Sequence, residues 1–163
     1  MDGDYVSVER VIGAPASAIF ALLADAGKHS SFDGSGTVDH SAQQSVPLSL
    51  GSTFGMAMRG RKETLFLPYR TSSKVIEFEP DRRIAWQTTG LGGLIGGRIW
   101  RYELIPAGGA AGPSSTGGAT LVRETWDISR DKQKPFLKRG GTPGLTERAM
   151  RATLDRIAEV VKG

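Results

Sequence analysis

Residues 5–12 (Tyr5-Val6-Ser7-Val8-Glu9-Arg10-Val11-Ile12) alternate and are rich in β-branched side chains, which predicts a strand. Gly13-Ala14 breaks it. Pro15 suits the first turn of a helix, where its missing N–H costs nothing. Ala18, Ile19, Leu22 and Leu23 then recur at helical spacing as far as Ala24. Asp25 is placed to cap a second short helix running through Ser31. Gly34 and Gly36 end it, and Thr37–His40 reads as a strand.

The middle of the chain is mostly strand. Residues 41–52 read as loop. Thr53–Arg59 places Phe54, Met56 and Met58 on one face, and Gly60–Glu63 is a polar turn. A long strand from about Tyr69 to Phe78 ends in Glu79-Pro80-Asp81-Arg82, which has turn chemistry. Arg83–Thr88 is the next strand, Gly90–Gly97 a glycine-rich connection, and Arg98–Ile105 a further strand. Residues 107–118, made of Gly, Ala, Ser and Pro with a single Thr, read as a hairpin tip. Ala119–Ile128 is the last strand. A long amphipathic helix closes the chain, with Met150, Leu154, Ile157, Ala158 and Val161 in one stripe. Phe136-Leu137 reads as an earlier helical turn. Short helices near the start and one long helix at the end suggest a sheet curled around a helix, with a cavity between them.

Composition narrows the class. The chain has 163 residues, 39% of them hydrophobic and 23% charged, which suits one globular domain over 1–163. No apolar run is long enough to cross a bilayer. The acidic start, with Asp2 and Asp4, argues against a signal peptide, so a cytoplasmic location is the expectation. The absence of cysteine excludes disulfides, thiolate zinc sites and cysteine nucleophiles. The net charge is +4, but the basic residues are spread along the chain. Their densest run, 130–139, reads as solvated surface rather than a phosphate-reading patch, so no specific nucleic acid is expected.

Candidate chemistry is sparse. The glycines at 90–97 lack the spacing of a phosphate-binding loop and lie between strands. His29 and His40 are not at metal-ligand spacing, so neither a metal nor a cofactor is expected. His29 sits at the end of the short helices, beside a turn facing the cavity mouth. It is a candidate general base, against the plainer reading of a partly exposed structural histidine. On 98–105, Trp100, Tyr102 and Leu104 share a face with Arg98; on 119–128, Val122, Trp126 and Ile128 share a face with Glu124. A carboxylate among large apolar neighbours is costly unless paired or protonated, which makes Glu124 a functional candidate. The plainer reading is a salt bridge, for example to Arg98, or exposure at the sheet edge. Phe32, Met56, Met58, Tyr69, Trp86, Trp100, Tyr102 and Trp126, with Glu124, make up the expected lining of an apolar ligand pocket.

Several strings resemble a known family. They are Ala14-Pro15-Ala16 with Ile19-Phe20 and Leu22-Leu23-Ala24-Asp25, then Phe32-Asp33-Gly34-Ser35-Gly36, then Phe78-Glu79-Pro80-Asp81-Arg82-Arg83-Ile84-Ala85-Trp86. Trp100-Arg101-Tyr102-Glu103-Leu104, Thr120–Asp127 and the stripe from Met150 to Ala158 continue the pattern. The chain resembles the helix-grip (START-like, SRPBCC) superfamily, in its bacterial polyketide cyclase/dehydrase and lipid-transport branch. The resemblance implies an α+β fold: a curved antiparallel sheet of about six to seven strands around the C-terminal helix, with two short helices after the first strand. Gly140-Gly141-Thr142-Pro143-Gly144 departs from the family pattern and is expected to shorten or break the start of the long helix.

Three functions fit these features. The first is binding of a small hydrophobic ligand such as a lipid or polyketide, by a monomer or homodimer. The second is a cyclase or dehydratase in which Glu124 or His29 is the acid/base group and Tyr69 or Tyr102 orients a carbonyl. The third is a protein- or RNA-interaction module using the basic 130–139 segment.

Overall fold

The computed structural model describes residues 1, 3–36, 38, 44–58, 69–107 and 118–163. Six antiparallel strands form one sheet: β1 (Tyr5–Ile12), β2 (Thr53–Met58), β3 (Tyr69–Glu79), β4 (Arg83–Gly90), β5 (Ile95–Ala107) and β6 (Ala119–Asp127). Their spatial order is β1-β6-β5-β4-β3-β2, so the first two strands in sequence form the two edges. The chain crosses between those edges through α1 (Ala16–Leu23), a 3₁₀ turn (Ala26–Lys28) and α2 (His29–Phe32). After β6 come a single helical turn, α3 (Lys134–Leu137), and the long α4 (Thr142–Lys162). The expected curved sheet gripping a C-terminal helix is what forms, with six strands. The expected Gly60–Glu63 turn, the 107–118 tip across 108–117, and His40 with most of the 37–40 strand lie outside the described residues. Of that strand Val38 is described, and it bridges Met58.

The sheet has two unlike faces because successive side chains alternate. On the concave face Val8, Glu124, Tyr102, Ile84 and Phe78 lie in one row across five strands, and Val6, Trp126, Trp100, Trp86 and Val75 in the next. A register shift between Val75 and Glu77 inserts Ile76 and lets both Val75 and Phe78 face the core. On the convex face Glu79, Arg83, Glu103, Arg123 and Glu9 form a row of alternating sign. Arg83 lies 3.4 Å from Glu103, and Arg123 lies 3.5 Å from Glu103 and 2.6 Å from Glu9. Cross-strand neighbours of opposite charge suit a water-facing surface. They also neutralise part of the basic excess.

The concave face is covered by helices. Ile19, Phe20, Leu22 and Leu23 of α1 are buried, as are Met150, Thr153, Leu154, Ile157 and Ala158 of α4. The segment Gly140–Gly144 does not break the long helix. Thr142 and Pro143 form its first turn, where a proline forfeits no helical hydrogen bond, and α4 runs uninterrupted for 21 residues. Gly34 decides how closely α4 approaches the α2 turn. A Cβ there would lie 2.3 Å from the Ala149 carbonyl oxygen and 2.4 Å from the Thr153 amide nitrogen. With no side chain in the way, the Gly34 amide donates to the Thr153 hydroxyl at 3.0 Å.

Candidate functional site

The helices place a cluster of rings against the two concave rows. His29 is the first residue of α2 and stacks on Trp86 of β4, with ring centroids 4.8 Å apart and planes inclined by 22°. Phe32 and Phe54 each meet the imidazole edge-on, 5.4 Å away. Phe54 packs edge-on against Trp86, which tilts against Tyr102 at 5.6 Å. Tyr102 stands directly across the ladder from Glu124, and its hydroxyl donates to Oε1 of Glu124 at 2.8 Å. The cluster thus runs from α2 across β4 and β5 to a carboxyl group on β6.

Both titratable members are almost fully enclosed. Glu124 is 2% exposed and His29 3% exposed. His29 is therefore not the partly exposed histidine expected from its place beside a turn. Burial drives its pKa down to about 4, against the smaller raising effects of its bond to Leu23 and the Asp25 charge, so the ring is neutral near pH 7. Its Nε2 lies 2.8 Å from the Leu23 carbonyl oxygen. A carbonyl only accepts, so Nε2 carries the hydrogen and Nδ1 is a bare lone pair. Burial likewise raises Glu124 to about 8; the Tyr102 hydrogen bond works against this, and the Asp33 charge adds to it. Burial, followed by the Glu124 charge, pushes Tyr102 well above the ordinary phenol range. Near neutral pH Glu124 is thus mostly a neutral acid. With Oε1 accepting from Tyr102, its proton belongs on Oε2. Among the described residues neither His29 Nδ1 nor Glu124 Oε2 has a hydrogen-bond partner, and both are buried.

Glu124 does not pair with Arg98. Arg98 instead donates to the buried Asp131 at 2.9 Å and to Gln133 at 3.3 Å, beyond the end of β6. The reason is the β5–β6 register, which sets Glu124 opposite Tyr102 and leaves Arg98 just past the Ile99–Asp127 pair at the end of β6. Nearby, the β4–β5 ladder shifts between Thr88 and Thr89 and carries Gly96 and Gly97 at positive φ. A Cβ on Gly97 would lie 2.4 Å from the Arg130 carbonyl oxygen, so the post-β6 loop presses onto this bulge and supplies Asp131.

The other expected lining residues divide. Phe32, Trp86, Tyr102 and Trp126 are buried on the concave side. Trp100, half-buried, lies 6.5 Å from Trp126 by ring centroids, and Met56 packs at the margin of the core. Met58 is half-buried and pairs with Tyr69. Tyr69 is 39% exposed at the start of β3, away from the ring cluster, because it lies near the edge of the sheet. Asp33 was legible only as part of a turn. Its effect on Glu124 arises because α2 delivers that turn to the concave face, and no local signal announces it.

A model of the polyketide cyclase / dehydrase and lipid transport family matches residues 5–162. The chain belongs to this family. The family falls within the SRPBCC superfamily, and two relatives of the chain are themselves described as uncharacterized. It is 34% identical over 123 residues to the uncharacterized protein Rv0088 of Mycobacterium tuberculosis, a match covering 75% of this chain and 46% of that one. The chain therefore spans about half the length of the curated relatives it matches. Its fold is similar to that of protein NE0264 from Nitrosomonas europaea, with TM-score 0.66, 15% identity and coverage of 99% and 97% of the two chains. It is also similar to the AHSA1-like protein from Aeromonas hydrophila, with TM-score 0.60, 16% identity and coverage of 97% and 92%. Family and fold together point to a ligand-binding or cyclase-like domain.

Proposed function

We propose that this protein binds a small, largely apolar ligand between the concave face of the sheet and α4, held by the ring cluster and the Tyr102–Glu124 pair. The observation that carries this reading is the presence of two buried polar atoms, His29 Nδ1 and Glu124 Oε2, without partners among the described residues. Leaving such atoms unpaired costs on the order of 1–3 kcal/mol each, so folded chains seldom keep them without a use. Their chemistry constrains the ligand. Protonated Oε2 donates, so it calls for a carbonyl or ether oxygen. The His29 lone pair accepts, so it calls for a hydroxyl or N–H. Trp86, Phe32 and Phe54 offer flat apolar contact beside them. The nearby Asp33 charge disfavours an anionic group at this point.

The test is a thermal-shift and native mass spectrometry screen of lipids, polyphenols and polyketide-like compounds. The expected result is stabilisation by neutral molecules carrying both an acceptor and a donor, lost in Glu124→Leu. The reading is overturned if no compound in the screen binds.

One observation favours a second reading as a cyclase or dehydratase. Glu124, raised to about 8, can hold and release a proton near neutral pH. Tyr102, donating to Oε1, would orient the carboxyl group that carries this proton on Oε2. His29, held near 4, is too weakly basic near neutrality to share this role. Turnover that survives Glu124→Gln would exclude this assignment.

A further inference from the structure

The end of the molecule formed by the β4–β5 hairpin and the segment after β6 carries large apolar side chains that face outward. Leu91 is 68% exposed, Leu94 76% and Phe136 79%. The two segments are joined. The Lys132 amide donates to the Gly96 carbonyl at 2.9 Å, its ammonium group reaches the Gly93 carbonyl, and Arg98 on β5 holds Asp131 and Gln133. The leucines of the hairpin and the phenylalanine of α3 therefore belong to one end of the fold.

The hairpin residues are costly in two ways. Leu91 has φ 48, in the left-handed region where a glycine would be at ease, and three of its near neighbours, Gly90, Gly92 and Gly93, are glycines. A leucine there accepts backbone strain while leaving most of its side chain in water. Packing within the chain does not repay this, because the side chain is exposed. Leu94, three residues on, has an ordinary right-handed backbone, with φ -70, but likewise leaves its side chain in water. Such spending of apolar surface at a protruding tip signals a surface it meets.

The surrounding charge says which surface. The segment 130–139 carries Arg130, Lys132, Lys134, Lys138 and Arg139 against Asp131 alone. Lys134 and Lys138 flank Asp4 at 3.1 and 3.0 Å, and Asp131 is already taken by Arg98. Among the described residues, Arg130, Lys132 and Arg139 have no carboxylate within ion-pair distance, and they lie in the same segment as Phe136. Narrow apolar projections set among cations that lack an ion pair match a bilayer interface, where alkyl and aromatic groups enter the acyl boundary and cations meet anionic headgroups. We infer that Leu91, Leu94 and Phe136, with Arg130, Lys132 and Arg139, form a docking face for anionic lipid membranes. This inference goes beyond the ligand-binding reading and does not depend on it.

The experiment is co-sedimentation of the full chain with phosphatidylcholine vesicles, with and without phosphatidylglycerol, over a salt series. The wild type is expected to bind the anionic vesicles, to bind pure phosphatidylcholine far less, and to lose affinity as salt rises. Leu94→Ser with Phe136→Ser is expected to lower affinity about tenfold or more, since insertion of apolar groups is removed. Lys132→Glu with Arg139→Glu is expected to abolish the preference for phosphatidylglycerol. All four substituted residues are exposed, and unchanged circular dichroism and thermal midpoints would confirm the fold of each variant. Three results overturn the inference. One is no binding to anionic vesicles at low salt. Another is wild-type binding by the Leu94→Ser/Phe136→Ser variant, which would leave only diffuse electrostatic adsorption. The last is concentration-dependent self-association, relieved by the same two substitutions, in a protein that ignores vesicles.

Discussion

The Tyr102 hydroxyl donates to Oε1 of Glu124 at 2.8 Å, inside a layer where both residues are buried and directly opposed on neighbouring strands. That bond favours the ionised form of Glu124, yet burial outweighs it and leaves the acid mostly protonated at pH 7. The pair therefore behaves as a neutral hydrogen-bonding unit in an aromatic setting.

Tyr102→Phe removes the phenol hydrogen bond, which among the described residues is what stabilises the Glu124 anion. The Glu124 pKa is expected to rise further above about 8, as measured by carboxyl-carbon NMR titration. Stability should fall by about 1–3 kcal/mol, because Oε1 then lacks its donor. A Glu124 pKa that moves down instead would show that the phenol does not favour the anion.

Stability should depend on pH in a defined way. Glu124 stands at about 8 in the folded chain against an ordinary 4.5, so across that range the folded state keeps a proton the unfolded state has lost, and stability falls as pH rises. His29, at about 4 against an ordinary 6.5, acts in the opposite sense, since there the unfolded state binds the extra proton. The two slopes offset one another from about 4.5 to about 6.5, and Glu124 acts alone above that. Urea denaturation over a pH series should show a decline of about 2 kcal/mol between the His29 and Glu124 limits. Glu124→Gln should remove the decline; if it persists in that variant, another group causes it.

Gly34→Ala should damage the seat of α4. The added methyl carbon would meet backbone atoms of Ala149 and Thr153, which cannot swing aside as a side chain can. Overpacking of this kind costs about 1–3 kcal/mol. A urea midpoint equal to that of the wild type would mean that α4 shifts freely at this point.

Asp25→Ala tests the tie between α1 and the loop before β2. Burial alone would raise the Asp25 carboxyl, but hydrogen bonds from the Val46 amide, the Ser45 hydroxyl and the Gly27 amide hold it below its ordinary value. The Val46 and Gly27 bonds are 2.7 and 3.0 Å long. Removing the carboxylate should speed hydrogen exchange at Val46 and Gly27 and cost about 1–3 kcal/mol. Exchange there at the wild-type rate would show that the backbone bonds of Ala26 and Leu48 hold the loop unaided.

Among the described residues, the pattern of side chains alone placed the six strands of the sheet and the helices α1 and α4, and the two-residue period assigned Glu124 and Trp126 to one face and Trp100 and Tyr102 to one face. Those are local properties, set by alternation and helical spacing over a few neighbours. The amphipathic stripe from Met150 to Val161 likewise fixed the buried side of α4. The start of that helix differs from the expected break because Thr142-Pro143-Gly144 suits a helical first turn as well as a break. Tertiary structure decided the rest. Cross-strand register matched Tyr102 to Glu124 and not Arg98, whose partner Asp131 arrives from a loop pressed against Gly97. The crossing of α2 over the sheet stacked His29 on Trp86 and turned a loop-end histidine into an enclosed neutral ring. Desolvation depends on every layer packed around a group, and residues brought together from distant segments supply those layers.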